Sequence, residues 1–221
     1  MPLNPARNLS EQLAEHISER IIRGELAPGD RLPEAELARQ LDVSTNSLRE
    51  AFRLVEKRHL VEIQPRRGVR VKPVDETQVR ELYDFLFVLL GQLASRAASG
   101  WKPGEIEDLV ALVGRMAENV AAGDVAAFHD TAFEFIHNGL RFAGNAYLVD
   151  AIEDLLPQLQ RFSYIALIEE TTELEVSLAI FQRLVQHVVQ RQAEQATADI
   201  REYGANQCQI VLRALAKRHA A

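Results

Sequence analysis

The sequence predicts a mainly α-helical protein in which an N-terminal winged helix-turn-helix precedes a C-terminal all-helical bundle. Three observations support this fold class. Residues 31–72 change from the helical period of 3.6 to the strand period of 2, every segment from residue 75 onward has the helical period, and basic side chains are concentrated in residues 45–72. A small basic module joined to a larger acidic helical body accounts for all three observations.

The helix-turn-helix is predicted from residues 34–57. A short helix over residues 34–41 is followed by a tight turn at residues 42–44, where Ser44 is a favourable N-cap for a second helix. One face of the second helix is apolar and consists of Leu48, Ala51, Phe52 and Val55. The opposite face carries an amide and three cations, Asn46, Arg49, Arg53 and Lys57. Such a face suits a phosphate backbone and guanine edges.

A β-hairpin is predicted after this helix, because the apolar period changes to two. Apolar residues alternate at positions 61 and 63 in the first strand and at positions 69 and 71 in the second. Between the strands, the turn sequence Pro-Arg-Arg-Gly at residues 65–68 gives the hairpin a doubly basic tip.

The remaining segments are predicted to be helical. Residues 9–23 form a helix that ends at Gly24 and has an apolar stripe of Leu9, Leu13, Ile17 and Ile21. The segment Lys72-Pro-Val74 interrupts the hairpin pattern, so the domains are expected to be residues 1–72 and 73–221. Six helices are expected in the second domain, over residues 75–99, 103–122, 124–142, 145–168, 172–191 and 193–218, with the Glu169–Thr172 region as one boundary.

Composition limits the class of protein. The net charge of the 221 residues is −7, but residues 45–72 contain eight Lys and Arg against three Asp and Glu. The longest apolar run, residues 85–91, is far shorter than the roughly 20 residues of a membrane span, and the N-terminus lacks a secretory signal pattern. A cytoplasmic protein without membrane association is therefore expected. Cys208, the single cysteine, is expected to be buried and inert.

Residues 9–72 resemble the winged helix-turn-helix of GntR-type bacterial transcription regulators. The run LPEAELARQLDVSTNSLREAFRLV, the strand LVEI and the wing RRGVRV have the turn, helix and wing of that family at the family's spacing. One departure is Thr45, since the family usually has Arg directly after the turn Ser, and it concerns which bases are read. The resemblance implies that double-stranded DNA is bound by Ser44, Thr45, Asn46, Ser47, Arg49, Arg53, Arg66, Arg67 and Gly68.

The helical bundle resembles the FadR-like branch of the same family, whose C-terminal effector domain is all-helical and of the FCD type. The similar segments are Gly139–Asn145, Ser177–Phe181 and Ile200–Gly204. The resemblance implies that this domain supplies a dimer contact and an effector site.

Many members of this branch hold a divalent metal through an Asp and three His, the first two spaced as Asp-x-x-x-His on one helix face. The best match here is Asp130-Thr-Ala-Phe-Glu134, with Glu in place of the first His. A gap-free alignment instead puts Ala132 and Ile136 at these places. The two later His positions fall on Phe181 and Tyr203. We therefore expect no metal and no other cofactor.

The branch also tends to hold a ligand carboxylate with an Arg on the first bundle helix, where this sequence has Leu86. Two interpretations of the interior remain open: its aromatic residues are ordinary core, or they line a pocket for an apolar, acyl-type effector such as an acyl-CoA. The aromatic residues in question are Phe85, Phe87, Phe133, Phe135, Phe162, Tyr164, Phe181 and Tyr203. The residues expected to contact an effector are Leu86, Phe135, Phe181 and Tyr203.

The leading hypothesis is a transcriptional repressor that binds a pseudo-palindromic operator as a homodimer. One alternative is a regulator of the same class whose effector depends on a metal and a carboxylate. Another is a helical enzyme with an incidental winged helix, although the sequence contains no Gly-rich phosphate loop, Gly-x-Ser-x-Gly or His-Glu-x-x-His. A third is a protein-interaction winged helix, which has no need of the arginines on the second helix and wing.

Overall fold

The computed structural model describes residues 8–169 and 173–220, with side chains up to residue 217. The chain divides into two compact units, residues 1–74 and 75–221. The sequence places the boundary two residues earlier. The described residues are mainly α-helical with one small antiparallel sheet, which confirms the predicted fold class. No helix in the described part of the chain is long and apolar enough to span a membrane.

The first unit contains three helices and three short strands among its described residues. In chain order these are α1 (Leu9–Ile22), β1 (Arg31–Leu32), α2 (Glu34–Gln40), α3 (Thr45–Lys57), β2 (Val61–Gln64) and β3 (Gly68–Val71). Helix α1 begins with a capping box, in which Asn8 and Glu11 satisfy each other's backbone N–H groups, and Gly24 follows its end with a φ of +78°.

The core of the first unit forms around the apolar face of α3. Its four residues, Leu48, Ala51, Phe52 and Val55, are fully buried, as their spacing predicts. They share one hydrophobic cluster with Leu13, Ile17 and Ile21 of α1 and with Val61, Val69 and Val71 of the sheet. Leu9, the first residue of the predicted α1 stripe, lies outside this core and is 46% exposed. Burial of the α3 stripe fixes the opposite face of the helix toward solvent.

The sheet differs from the predicted hairpin in having a third strand. Strand β3 lies in the centre and pairs antiparallel with both β1 and β2. Two-residue strands such as β1 leave no periodicity to detect, so its position is not visible in the sequence. Ile63 is 36% exposed, more than the alternating pattern predicts, although its pairing partner Val69 is buried.

The second unit contains six α-helices among its described residues, the predicted number. They are α4 (Glu76–Gly100), α5 (Glu107–Ala122), α6 (Val125–Gly139), α7 (Ala146–Glu169), α8 (Glu173–Val189) and α9 (Ala193–Ala220), with a 3-10 turn at Leu140–Phe142 after α6. Helix α5 begins four residues later than expected. The predicted boundary at 169–172 lies mostly outside the described residues.

Helices α4 and α9 pack closely along each other, because small residues lie at their contact. At Gly91, the Thr197 hydroxyl donates a hydrogen bond to the carbonyl oxygen at 3.2 Å. A Cβ at Gly204 would overlap the ring of Phe87. These two glycines therefore set how near the backbones approach, and a buried side chain of α4 occupies the space beside Gly204.

We predict that Gly204→Ala destabilises the helical unit, although alanine favours helix formation. Overpacking against Phe87 is expected to cost about 1–3 kcal/mol in the free energy of unfolding. The matched control is Gly114→Ala in α5, where an added Cβ meets no atom within 4 Å, and a gain of roughly 0.5–1 kcal/mol is expected there. Urea unfolding followed by circular dichroism measures both changes. Equal stabilisation by the two substitutions would show that the contact is not tight.

Candidate nucleic-acid interface and candidate effector cavity

The start of α3 is held by serine side chains. Ser44 is the N-cap, and its hydroxyl accepts a hydrogen bond from the backbone N–H of Ser47 at 3.0 Å. The two serine hydroxyls also lie 2.8 Å apart and share a hydrogen bond. Both hydroxyls are therefore engaged in capping, whereas the exposed side chains of Thr45 and Asn46 lie on the first turn of the helix and are available to another molecule.

The exposed face of α3 presents the arginines that the sequence predicts. Arg49 is ion-paired with Glu34 of α2 through its Nε, at 2.7 Å, and Arg53 is ion-paired with Glu50 at 2.6 Å. The side chains of Arg49 and Arg53 remain 61% and 67% exposed. Each guanidinium thus keeps donors that point away from its carboxylate, because an arginine has five N–H groups and these contacts use one.

The wing carries a cluster of four arginines around a shallow cleft. Arg66 and Arg67 lie in the turn before β3, as predicted, and Gly68 begins the strand with a φ of +87°. Arg66 itself has a φ of +64°, a backbone conformation that is uncommon for a residue with a side chain. The cleft is lined by Arg66, Arg67, Gln64, Arg31 and Arg70. Its charge and shape suit a phosphate group.

Arg31 and Arg70 are the residues of this cluster that sequence reasoning missed. They are paired across β1 and β3, which places both side chains on the same face of the sheet. Arg70 also donates to the carbonyl oxygen of Gly29 at 3.0 Å. The pairing of β1 with β3 brings Arg31 to the wing from 35 residues earlier in the chain than Arg66. Only the alternation of Arg70 with the buried residues 69 and 71 gave a signal in the sequence.

The second unit encloses an apolar cavity of about 90 Å³. Side chains from all six of its helices line this space, and none of the lining residues is Asp, Glu, Lys or Arg. Aromatic rings form much of the wall. Ring centroids lie 5.2 Å apart for Phe181 and Tyr203, and 5.3 Å apart for Phe135 and Phe181, in edge-to-face arrangements. The aromatic set therefore surrounds a space in addition to forming core.

The structure brings together three of the four residues expected to contact an effector. Phe135, Phe181 and Tyr203 line the cavity. Leu86 is fully buried but does not line it, because the inward face of α4 is formed by residues one position away on the helix, including Phe87. Among the other aromatic candidates, Phe85 is 56% exposed on the outside of α4, and neither Phe162 nor Tyr164 lines the cavity. Whether the three lining residues contact an effector remains a prediction.

The positions that correspond to metal ligands in the family face this same cavity under the gap-free alignment. Ala132 and Ile136 line it together with Phe181 and Tyr203, and these four side chains offer one phenol oxygen and neither an imidazole nor a carboxylate. Under the other alignment, the Asp130 carboxylate is 58% exposed and Glu134 is ion-paired with Arg115. These residues do not fit a divalent metal, and no metal-ligand cluster of His, Cys, Asp or Glu occurs among residues 8–169 and 173–217.

A few polar groups interrupt the apolar wall. Burial raises the pKa of Tyr83 well above its usual value, and it raises the pKa of Tyr203 to about 12, so both phenols remain protonated at neutral pH. The neighbouring Cys208 is half-buried, less than the sequence predicts, and burial also raises the pKa of its thiol. That thiol is therefore a poor nucleophile, as expected.

Arg161 is a buried cation that sequence reasoning missed. It is 3% exposed in α7, and one of its terminal nitrogens has no partner among the described residues. Burial lowers its pKa to about 10. Its only signal in the sequence is its position between the apolar residues Leu159 and Phe162. Arg161 does not line the cavity, so it does not replace the missing carboxylate-binding arginine there.

Two family matches together cover most of the chain. Residues 9–71 match the family described as "Bacterial regulatory proteins, gntR family", and residues 81–206 match the FCD domain. The second match alone includes more than half of the 221 residues. The first coincides with the unit that carries the α3 face and the wing, and the second includes most of the helices that surround the cavity.

Curated relatives in Escherichia coli strain K12 are similar over part of their length. The chain is 44% identical over 68 residues to the uncharacterised HTH-type transcriptional regulator YieP, an alignment that covers 30% of each protein. It is 28% identical over 134 residues to the galactonate operon transcriptional repressor, which covers 59% of this chain and 58% of that repressor. The chain thus spans less than two thirds of the length of these relatives.

Two solved structures share the fold over nearly the whole chain. McbR/YncC of E. coli has a TM-score of 0.81 at 20% identity, and the match covers 93% of this chain and 98% of that one. A GntR regulator from Rhodococcus sp. RHA1 has a TM-score of 0.76 at 20% identity, with the same coverage. From its GntR and FCD matches, the chain belongs to the GntR family of bacterial regulatory proteins, FCD-containing and FadR-like, a family of transcriptional regulators and not of enzymes.

Proposed function

We propose that the protein is a cytoplasmic transcriptional repressor that binds a pseudo-palindromic operator as a homodimer and responds to a mainly apolar effector. The observation that carries the DNA-binding part is the joint display of the α3 face and the wing. Arg49 and Arg53 on α3 and the arginines around the wing cleft form two basic surfaces on one small unit. A helix in the major groove and a wing on the backbone use two such surfaces.

The side chains at the start of α3 divide the proposed DNA contacts into two kinds. Thr45, Asn46 and Arg49 lie on the exposed first turns of the helix, where base edges are read in helix-turn-helix proteins. Ser44 and Ser47 are proposed to approach the backbone, because their hydroxyls already cap the helix. The wing arginines are proposed to neutralise phosphates, since a cluster of cations without a base-shaped partner carries little sequence information.

The homodimer is proposed to form through α4. Phe85 and Val88 lie one helical turn apart and are 56% and 57% exposed, which is unusual for large apolar side chains at neighbouring positions. If a second copy of the chain were related by a two-fold axis, the Phe85–Val88 patch of each copy would be covered by that of the other. The two DNA-binding units of such a dimer would match the two half-sites of a pseudo-palindromic operator, and the total number of contacts would be twice that of one unit.

The effector is proposed to occupy the cavity of the helical unit. A carboxylate there would be a buried charge without a cation, since no lining residue is Arg or Lys, and this would cost several kcal/mol. The relative whose name refers to the galactonate operon therefore does not suggest a sugar acid for this chain. The volume of about 90 Å³ is also below the roughly 300 Å³ of drug-sized pockets. A long acyl chain would need the walls to move apart, and a smaller apolar molecule would not.

Arg49 is predicted to contribute specificity. The operator is first located by DNase I footprinting of the protein on the DNA upstream of its own coding sequence. Arg49→Ala is then expected to weaken binding to that operator by about 1–3 kcal/mol in a gel-shift titration and to relax selectivity at one base pair, because a base-reading arginine is lost. Arg115→Ala on α5 is the matched control and should leave the affinity unchanged. Unchanged affinity of the Arg49 variant would refute the docking on α3.

The wing is predicted to act without regard to sequence. Arg66→Ala should weaken specific and random duplexes alike, and it should reduce the slope of log K against log salt by about 1, because one phosphate contact releases about one counterion. Titrations at several salt concentrations measure this slope. A protein-interaction winged helix predicts a different result, in which neither duplex DNA nor heparin binds the unaltered protein.

Disruption of the α4 patch is predicted to give monomers. The double variant Phe85→Ser, Val88→Ser removes the exposed apolar pair while leaving the cavity wall intact, so a halved mass is expected in size-exclusion chromatography with light scattering. Tyr147→Ser is the control, because Tyr147 is 86% exposed on α7. Retention of the dimer by the double variant would place the interface elsewhere, and the Tyr147 variant should remain dimeric in either case.

A further inference from the structure

The cavity contains a polar corner at the contact of α4, α8 and α9. Gln207 donates a hydrogen bond from Nε2 to the hydroxyl of Ser177 at 3.2 Å, and this buried hydroxyl is also bonded to the phenol of Tyr203. Tyr83 of α4 stacks on Phe87 with ring centroids 5.2 Å apart, and the Phe87 ring lies 6.1 Å from that of Tyr203. Tyr83, Tyr203 and Gln207 line the cavity, and Ser177 joins the last two from behind its wall; we term these four residues the polar corner.

Two atoms of the polar corner have no protein partner within the described residues. They are the Tyr83 hydroxyl and Gln207 Oε1. Both residues line the cavity and are almost completely buried, at 3% and 2% exposure. Buried polar atoms in folded proteins nearly always have a hydrogen-bonding partner, and one left without it is costly. Two such atoms on residues that line one apolar space indicate that a molecule in this space supplies the missing hydrogen bonds.

The surroundings limit the charge of that molecule. No Asp, Glu, Lys or Arg lines the cavity, and His129 already uses Nε2 in a hydrogen bond of 3.0 Å to the backbone carbonyl oxygen of Gln160. A charged head group would therefore have no counter-charge. A neutral hydroxyl donates one hydrogen bond and accepts others, so it can serve both unpaired atoms in either orientation of the Gln207 amide.

We propose that the cavity binds a small uncharged molecule with a hydroxyl group on an apolar body, and that this hydroxyl pairs with Tyr83 and Gln207. The proposal rests on the effector role of the cavity proposed above and names the chemical class of the effector. The aromatic wall formed by Phe87, Phe135 and Phe181 covers the apolar body, and the polar corner selects the head group. The volume of about 90 Å³ favours a body no larger than a single ring.

The experiment compares three probes of similar size that differ in their head group: phenol, toluene and benzoate. Binding to the full chain is measured by ligand-observed NMR titration in the absence of DNA. We expect saturable binding of phenol, weaker binding of toluene and none of benzoate. Tyr83→Phe removes only the unpaired hydroxyl and should leave the melting temperature nearly unchanged. It should weaken phenol roughly fivefold without weakening toluene.

Gln207→Leu is a second variant and should likewise weaken the binding of phenol without weakening that of toluene. Tyr147→Phe on the exposed surface is the matched control and should bind all three probes as the unaltered protein does. Phenol binding no tighter than toluene, or equal phenol affinity in the Tyr83 and control variants, would overturn the proposal. Resident water that satisfies both atoms would produce that result. Operator binding is measured on the same preparations. Failure of the unaltered protein to bind the operator would contradict the proposed repressor function and not the proposed hydroxyl site.

Discussion

The close contact between α4 and α9 is the constraint on which the helical unit depends. Gly91 and Gly204 let the two backbones approach, and the space that a side chain at 204 would need is occupied by Phe87. Phe87 is thereby held over the cavity, stacked on Tyr83 with ring centroids 5.2 Å apart. The ring of Tyr83 thus packs on a side chain whose space is left open by a glycine on another helix. A cavity wall fixed in this way depends on backbone packing, and side-chain rotamer changes alone do not remove it.

Periodicity and motif together predicted most of the fold. The α3 stripe could be identified because four large or small apolar side chains recur at one spacing, and its burial is complete. Strand β1 could not be identified, because two residues are too few to show a periodic pattern and because they pair with β3, which is distant in the sequence. Arg31 was missed for the same reason. Sequence spacing identifies faces of elements, whereas the partners of a short strand depend on the rest of the chain.

The interior of the helical unit was predictable in composition but not in detail. The sequence indicated an apolar, aromatic interior without the ligands of a metal, and Phe135, Phe181 and Tyr203 line the space. Leu86 does not line the space, because a shift of one position along a helix rotates a side chain by about 100° and the motif places the residue only approximately. The unpaired atoms of Tyr83 and Gln207 belong to no motif. Only the three-dimensional structure shows that both residues line one cavity and that these atoms have no hydrogen-bonding partner among the described residues.

The ion pairs on α3 alter the meaning of any measured salt dependence. Arg49 and Arg53 are already balanced by Glu34 and Glu50 in the free protein. When a phosphate or base binds either arginine, the carboxylate of the ion pair is left without its partner. This carboxylate attracts cations from solution, while the DNA releases its condensed counterions. The two flows of ions partly cancel. The number of phosphates that the protein contacts would therefore be larger than its net ion release suggests. Its affinity for DNA would also decrease less steeply with rising ionic strength than the number of arginines implies.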